Sequence, residues 1–418
     1  MRRLVTMALF LSICGCGSGC GCEAGGEVDA SPDSGLDAAR DAEVERAVED
    51  AARDARADSA ADTGPTTCPD GETPAEWFEI PHDDEGAPCG KGCRQITWDA
   101  RSVVTYDVNE RSLAYTSSDD VTVGFVDLES GREIGFSIEN PAGERPVSFG
   151  GPIAVIGTTI VYSTYVTDGS RGGRLWRVDA ETHCRRQLGE FRSPGDAWLD
   201  VARDVDVDGT TIVWYDEREG SGQQDVFSYD LMTGVETQLT MYSCCVGMTR
   251  ISDDRVAFVG WADGPYGTHV LDLPDGEPRR VWADGHEQFH PAIQGDRVVF
   301  TYQGDRPEYE LDIHGVDLAT DDHFIVTDHD GDQCWPDVYG DLVVWEDVRA
   351  DSKQDCLGGQ RQNIDIYAKD LSTGDERPVV TLLGNQSRPR IWERTVFFRY
   401  RAPEADDRLQ IYSIDLPP

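Results

Sequence analysis

Apolar and polar positions along the chain alternate in short β-type runs, not with the three-to-four spacing of helices. The stretch DVDVDGTTIVWYDEREGSGQQDVFSYDLMTGVETQLT, from Asp204, and the stretch DVYGDLVVWEDVRADSKQDCLGGQRQNIDIYAKDLSTGDERPVVT, from Asp337, share one order. An alternating strand leads, an apolar run ending in an aromatic follows, a third strand closes on Asp-Leu, and a fourth comes after a Thr-Gly turn. Glycine suits that turn because it takes positive φ without a Cβ clash.

The pattern extends over most of the chain. The aromatic recurs as Tyr115, Tyr162, Trp214, Phe258, Phe300, Trp345 and Phe398, and the closing Asp as Asp127, Asp179, Asp230, Asp272, Asp317, Asp370 and Asp415. Both series step at the length of a four-stranded propeller blade. The reading is all-β: a β-propeller of seven four-stranded blades, with six as the alternative count. The seventh unit stops at IYSIDLPP, one strand short, and would leave an open edge. RQIT, Arg94 to Thr97, is expected to fill it, because Thr97 precedes Tyr115 by the interval at which Thr240 precedes Phe258 and Thr327 precedes Trp345, and Thr381 precedes Phe398 by one residue less.

The repeat leaves the N-terminal part of the 418 residues unaccounted for. MRRLVTMALFLSICGCGSGC has a basic start, a short apolar run and then small residues, the grammar of an export signal. Residues 1–15 are read as a lipoprotein-type signal peptide, 16–67 as a disordered Ala/Asp-rich acidic tether, 68–93 as a cysteine-containing lead-in, and 94–418 as the propeller. The ICGC stretch resembles a bacterial lipobox, which implies lipid on Cys16, with Cys14 and Cys20 as competing positions.

A formal net charge of −42 disfavours nucleic acid and favours cations or basic partners. Eight cysteines beyond the tether, an even number in an exported chain, read as disulfides rather than zinc thiolates. Cys334 and Cys356 fall on one face of the sixth blade and are expected to pair. The molecule is expected to be a monomer.

HPAIQGDRVVFTY from His290, WPDVYGDLVVWED from Trp335 and RPRIWERTVFFRY from Arg388 share a Pro-containing first strand, a polar turn and an apolar second strand. In this the chain resembles the TolB-like propellers of bacterial envelopes. The resemblance covers roughly residues 94–418 and implies the fold. Seven repeats instead of six, and the many cysteines, keep TolB's own role from carrying over.

Several strings suggest chemistry. HEQFH, His286 to His290, fits the zincin pattern, but that chemistry needs a helix. Pro291 and a β run follow, and on an extended strand the two histidines stand about 13 Å apart. DVDVDG, Asp204 to Gly209, opens like an EF-hand loop but alternates as a strand and lacks the closing Glu. DHDGDQ, Asp328 to Gln333, lies in a connection, so Asp328, Asp330 and Asp332 are candidate calcium ligands. Trp214-x-Asp216-x-Arg218 recurs as Trp345-x-Asp347-x-Arg349 and is read as structural, since one active site has no use for copies. No G-x-S-x-G elbow or glycine-rich phosphate loop is present.

The expected function is an exported, lipid-anchored outer-membrane protein on the periplasmic or surface side. Its propeller would be a non-enzymatic scaffold for an envelope protein, peptide or glycan. The binding face is expected to carry the inter-blade connections, around His290, Asp328, Asp330 and Asp332 with Trp335 at the rim. The rival is a metal-dependent polysaccharide lyase or hydrolase using His286, His290 or His329. A structural envelope component without a discrete ligand is the third reading.

Overall fold

The computed structural model describes residues 67–418 apart from 83–88, 90–91, 100, 118–121, 139–143, 147–152, 167–172, 192–201, 219–223, 243–244, 262–264, 305–310, 351–355, 357–362 and 402–407. Cys16 and Cys244 therefore lie outside the described residues, as does most of the insertion between Ala350 and Asn363.

Seven antiparallel sheets follow one another along the chain. Their innermost strands are Val103–Asn109, Ile153–Ile156, Arg203–Asp208, Val246–Ser252, Glu287–Gln294, Gln333–Tyr339 and Gln386–Trp392. Each packs against the next, and the last returns to the first, so the seven surround a common axis. Thr-Gly turns and inter-blade connections then fall on opposite faces of the disc.

Burial explains the aromatic series. Tyr115, Tyr162, Trp214, Phe258, Phe300, Trp345 and Phe398 are all fully buried. Each belongs to a cluster drawn from two consecutive blades, and seven such clusters fill the seven blade interfaces. Burying one such ring contributes about 2–3 kcal/mol, so the repeat is mainly a periodic hydrophobic seam. Tyr115 needs more room than its neighbours: a Cβ on Gly124 would lie 2.1 Å from its ring.

The Asp series shapes the opposite face. Oδ1 of Asp127 accepts the backbone N–H groups of Glu129 and Ser130, and Asp230 and Asp370 do the same two and three residues on. Gly234 and Gly374 then take φ of +71° and +79°, as the Thr-Gly turn requires.

Closure follows the expected route. Cys93–Gln95 pairs with Leu409–Asp415 as the fourth strand of blade 7. Thr97 extends the bonding: its hydroxyl donates to Gln410 Oε1 at 2.7 Å and accepts the N–H of Ile411 at 2.9 Å. In blade 3 Thr240 accepts the N–H of Val226 at 2.9 Å in the same way.

The lead-in joins the sheets instead of preceding them. Thr73–Pro74 adds to the outer edge of blade 2 and Trp77–Glu79 to that of blade 1. Trp77 is 3% exposed and packs 4.8 Å from the Phe136 ring. Disulfides fix both ends of the segment, Cys68–Cys184 to blade 2 and Cys89–Cys93 at the closing strand, and the expected Cys334–Cys356 bond is also present.

Candidate functional site at the mouth of the channel

Five consecutive innermost strands carry the same backbone irregularity. Asp204, Met248, His290, Trp335 and Arg388 have φ of +45°, +58°, +48°, +54° and +55°. At each, the pairing with the second strand shifts register, which marks a β-bulge. A left-handed non-glycine residue costs about 1–2 kcal/mol, and the fold accepts this five times. The positions lie near the start of each inner strand, on the side of the inter-blade connections.

The bulged residues link around the ring. Met248 N–H donates to Asp204 Oδ2 at 2.9 Å, and His290 N–H to Met248 Sδ at 3.2 Å. The His290 ring stacks on Trp335 with centroids 3.5 Å apart. The Arg388 guanidinium lies 3.1 Å from the centroid of the Trp335 ring. Tyr106 of blade 1 donates its hydroxyl to the Arg388 carbonyl at 2.5 Å. Burial raises the Asp204 carboxyl above its ordinary range, with Arg250 the largest opposing influence.

His290 and Trp335, two of the expected binding residues, are brought into contact, their rings stacked on one another. The three aspartates do not join them in a calcium loop. Asp332 is buried and accepts the N–H groups of Leu311 at 3.1 Å and Cys356 at 2.9 Å, whereas Asp328 and Asp330 are exposed. One Asp332 oxygen thus ties blade 6 to the Leu311 strand of blade 5, and the other holds the Cys356 segment. The three histidines proposed for a metal also separate. His286 bonds Asp284 at 3.0 Å, His329 lies 3.2 Å from Glu376 on the surface, and His290 is buried against Trp335 with its Nδ1 3.2 Å from the Thr301 hydroxyl. HEQFH is strand from Glu287 onward, and among the described residues no three His, Cys, Asp or Glu side chains are grouped to hold a metal.

Met248, Arg388 and Asp204 were missed. A signal existed: His290, Trp335 and Arg388 each immediately precede the proline of the aligned first strands, so one column of the repeat holds three dissimilar, chemistry-bearing side chains.

The repeated Trp-x-Asp-x-Arg phrase is the contrasting case, because its contacts repeat with its sequence. Trp214 Nε1–H donates to Asp216 at 2.8 Å and Trp345 Nε1–H to Asp347 at 2.9 Å. Arg218 and Arg349 close on those carboxylates at 2.7 and 2.6 Å and lie 4.0 Å over the rings of Phe227 and Tyr367.

One partner of the phrase differs between the blades. Asp225, opposite Asp216, accepts from Thr240 at 2.9 Å, Tyr242 N–H at 2.7 Å and Gln238 at 3.1 Å. Asp365, opposite Asp347, is 3% exposed, and its Oδ1 has no donor among the described residues. Burial and then Asp347 push its pKa up to about 6. The folded state therefore holds this proton more tightly than the unfolded state. Stability from this group is present below about pH 4 and is lost as pH rises toward 6. Asp365→Asn should flatten that limb and stabilise the protein at pH 7 by about 1–2 kcal/mol after solvent screening. Denaturant titrations of both proteins from pH 4 to 7 measure this, and an unchanged slope would contradict it.

No family model matches the chain, and the search of curated proteins finds no relative. Solved structures do resemble it. An oligogalacturonate lyase in complex with manganese is 16% identical with a TM-score of 0.52, covering 83% of this chain and 97% of its own. The β-propeller domain of the Trilobed protease from Pyrococcus furiosus, which has an open Velcro topology, is 11% identical with a TM-score of 0.54, covering 76% and 96%. A TolB structure from Agrobacterium tumefaciens is 14% identical with a TM-score of 0.42, covering 74% and 100%. At these identities the likeness is one of fold. The present ring differs from the Pyrococcus domain in being closed by its N-terminal strand.

Proposed function

We propose that this is an exported envelope protein, lipid-anchored through Cys16, whose propeller binds a peptide segment or glycan of an envelope partner at the channel mouth without catalysing a reaction. The observation that carries the reading is the contrast between backbone and side chains in the bulge ring. Structural positions of the repeat keep their residue type, as the aromatic and Asp series do. The five bulges repeat in geometry but carry a carboxylate, a thioether, an imidazole, an indole and a guanidinium, with Met248 and His290 buried, Asp204 and Trp335 half-buried and Arg388 exposed. A purely architectural bulge would favour glycine or asparagine at every copy. Mixed charged, aromatic and apolar groups on a rigid wall suit a ligand with polar and apolar parts, and a peptide fits that description better than a sugar.

The metal-dependent enzyme would need ligands that the described residues do not bring together. The test is capture of crosslinked envelope partners by the full-length protein and by a His290→Ala/Trp335→Ala variant. Capture should fall about tenfold or more while the cooperative melt persists. Unchanged capture by the folded variant would contradict the proposal.

A further inference from the structure

Two residues deeper along the inner strands the ring changes character. The equivalent positions are Asp107, Ala154, Asp206, Arg250, Ala292, Asp337 and Arg390. Charged groups from blades 1, 3, 4, 6 and 7 act on one another here: Arg250 is influenced by Arg390, Asp206, Asp204 and Asp107, and Asp337 by Arg390 and Arg250. Groups on blades so far apart in the ring meet only at its axis, so this layer forms the waist of the channel.

The valences of these groups are spent unequally. Each aspartate lends Oδ2 to an edge amide of the next blade, Asp107 to Val155 N–H at 3.0 Å, Asp206 to Ile251 and Asp337 to Ile391, both at 2.8 Å. These bonds satisfy the inner edge of each sheet. The guanidinium donors are hardly used. Among the described residues Arg250 donates once, to the Thr249 carbonyl at 2.7 Å, and its buried Nε–H has no acceptor. Arg390 stands 3.7 Å from Asp337 and 4.0 Å from Asp107, beyond hydrogen-bond distance, with its side chain 22% exposed. Desolvation, then the Arg390 charge, lowers the Arg250 pKa. Desolvation opposes the Arg390 charge, but Asp337, Asp107 and Asp206 outweigh it and raise its pKa, so the waist holds two guanidiniums whose donors the described residues leave largely unspent. A group placed there must supply acceptors.

We propose that the waist is an oxyanion site, in which Arg250 and Arg390 bind a small carboxylate or a tetrahedral inorganic anion. Planar guanidinium forks match both shapes, and buried charge-assisted bonds of this type are strong. Ala154 and Ala292, at the two remaining positions, are buried in blade interfaces and add no charge to the layer. The titratable groups facing the site are Asp107, Asp206 and Asp337 in the layer, with Asp204, Tyr106 and Arg388 above it. Burial raises the pKa of each of these four aspartates, Asp206 to about 6. Acidification thus removes negative charge from the wall before it affects the arginines, and the anion should bind more tightly at pH 6 than at pH 8. This site does not depend on the mouth proposal, since Arg250 variants test one and Trp335 variants the other.

The experiment titrates the full-length protein with sulfate and with acetate, both of constant charge between pH 6 and 8, against chloride at equal ionic strength. Calorimetry should show saturable binding of at least one oxyanion at low millimolar concentration. Arg250→Gln should weaken it about tenfold or more, with Arg250→Lys in between because it keeps the charge but loses the fork. Preference for acetate assigns the site to a carboxylate-bearing ligand, and preference for sulfate to a free inorganic anion. Absence of saturable binding, or binding unchanged in both Arg250 variants, would overturn the proposal. The Arg250 variants keep the test decisive even if Arg390→Gln fails to fold.

Discussion

A chain beginning at Ser102 should lose its cooperative melt or aggregate, whereas one beginning at Thr67 should melt with the full-length protein. The first lacks the fourth strand of blade 7 and the added outer strands of blades 1 and 2. It loses buried Trp77, Ile80 and Ile96, each contributing about 2 kcal/mol. It also loses the Cys68–Cys184 crosslink across a separation of 116 residues, which is expected to contribute about 3–5 kcal/mol. Together these approach the whole stability of an ordinary domain, about 5–15 kcal/mol. The exposed edge of Leu409–Asp415 would then be free to pair with another chain. Calorimetry and light scattering measure the outcome, and equal melting temperatures would refute the closure argument.

Asp347→Ala should destabilise the protein by about 3–5 kcal/mol. The carboxylate is fully buried and accepts from Trp345 Nε1–H at 2.9 Å, Arg349 Nε–H at 2.8 Å and Arg349 N–H at 2.9 Å. Removing it leaves a buried indole donor without an acceptor and a half-buried guanidinium with Glu376 as its remaining partner, 2.8 Å away. Asp216→Ala should behave alike, since blade 3 repeats the contacts. Chemical denaturation of both variants reads the effect. A loss below about 1 kcal/mol would mean that the phrase is not the turn clasp its geometry indicates.

The seam residues were legible because burial at a blade interface forces an aromatic at a fixed step, and the Asp turns because the chain must reverse there at the same step. The closing strand was legible because a propeller lacking one strand has an open edge. The outer strands of blades 1 and 2 were not, since Thr73–Pro74 and Trp77–Glu79 are too short to show alternation. Spacing also could not pair Cys68 with Cys184, because connectivity is not fixed by sequence alone.

The site was half legible. His290 and Trp335 stood out as chemistry-bearing side chains, but the bulge that turns them toward one another leaves no mark on hydrophobic periodicity. The surroundings of Asp332 were not legible for a related reason: an acidic string looks the same whether a carboxylate faces solvent or accepts the amides of Leu311 and Cys356. The Asp204 to Gly209 string shows the opposite outcome. Its alternation of Val205 and Val207 with Asp204, Asp206 and Asp208 identified a strand, and it is one.

Binding at the channel mouth is tested most directly by photocrosslinking from within it. A photoreactive phenylalanine analogue at position 335 keeps an aromatic ring in the stack. The same group at position 232, where Met232 is 79% exposed beside a Thr-Gly turn, reports from the opposite face. On irradiation of intact envelopes, position 335 should yield a discrete crosslinked partner and position 232 none. Adducts from position 232 alone, or the same adducts from both positions, would contradict the assignment of the mouth as the binding site.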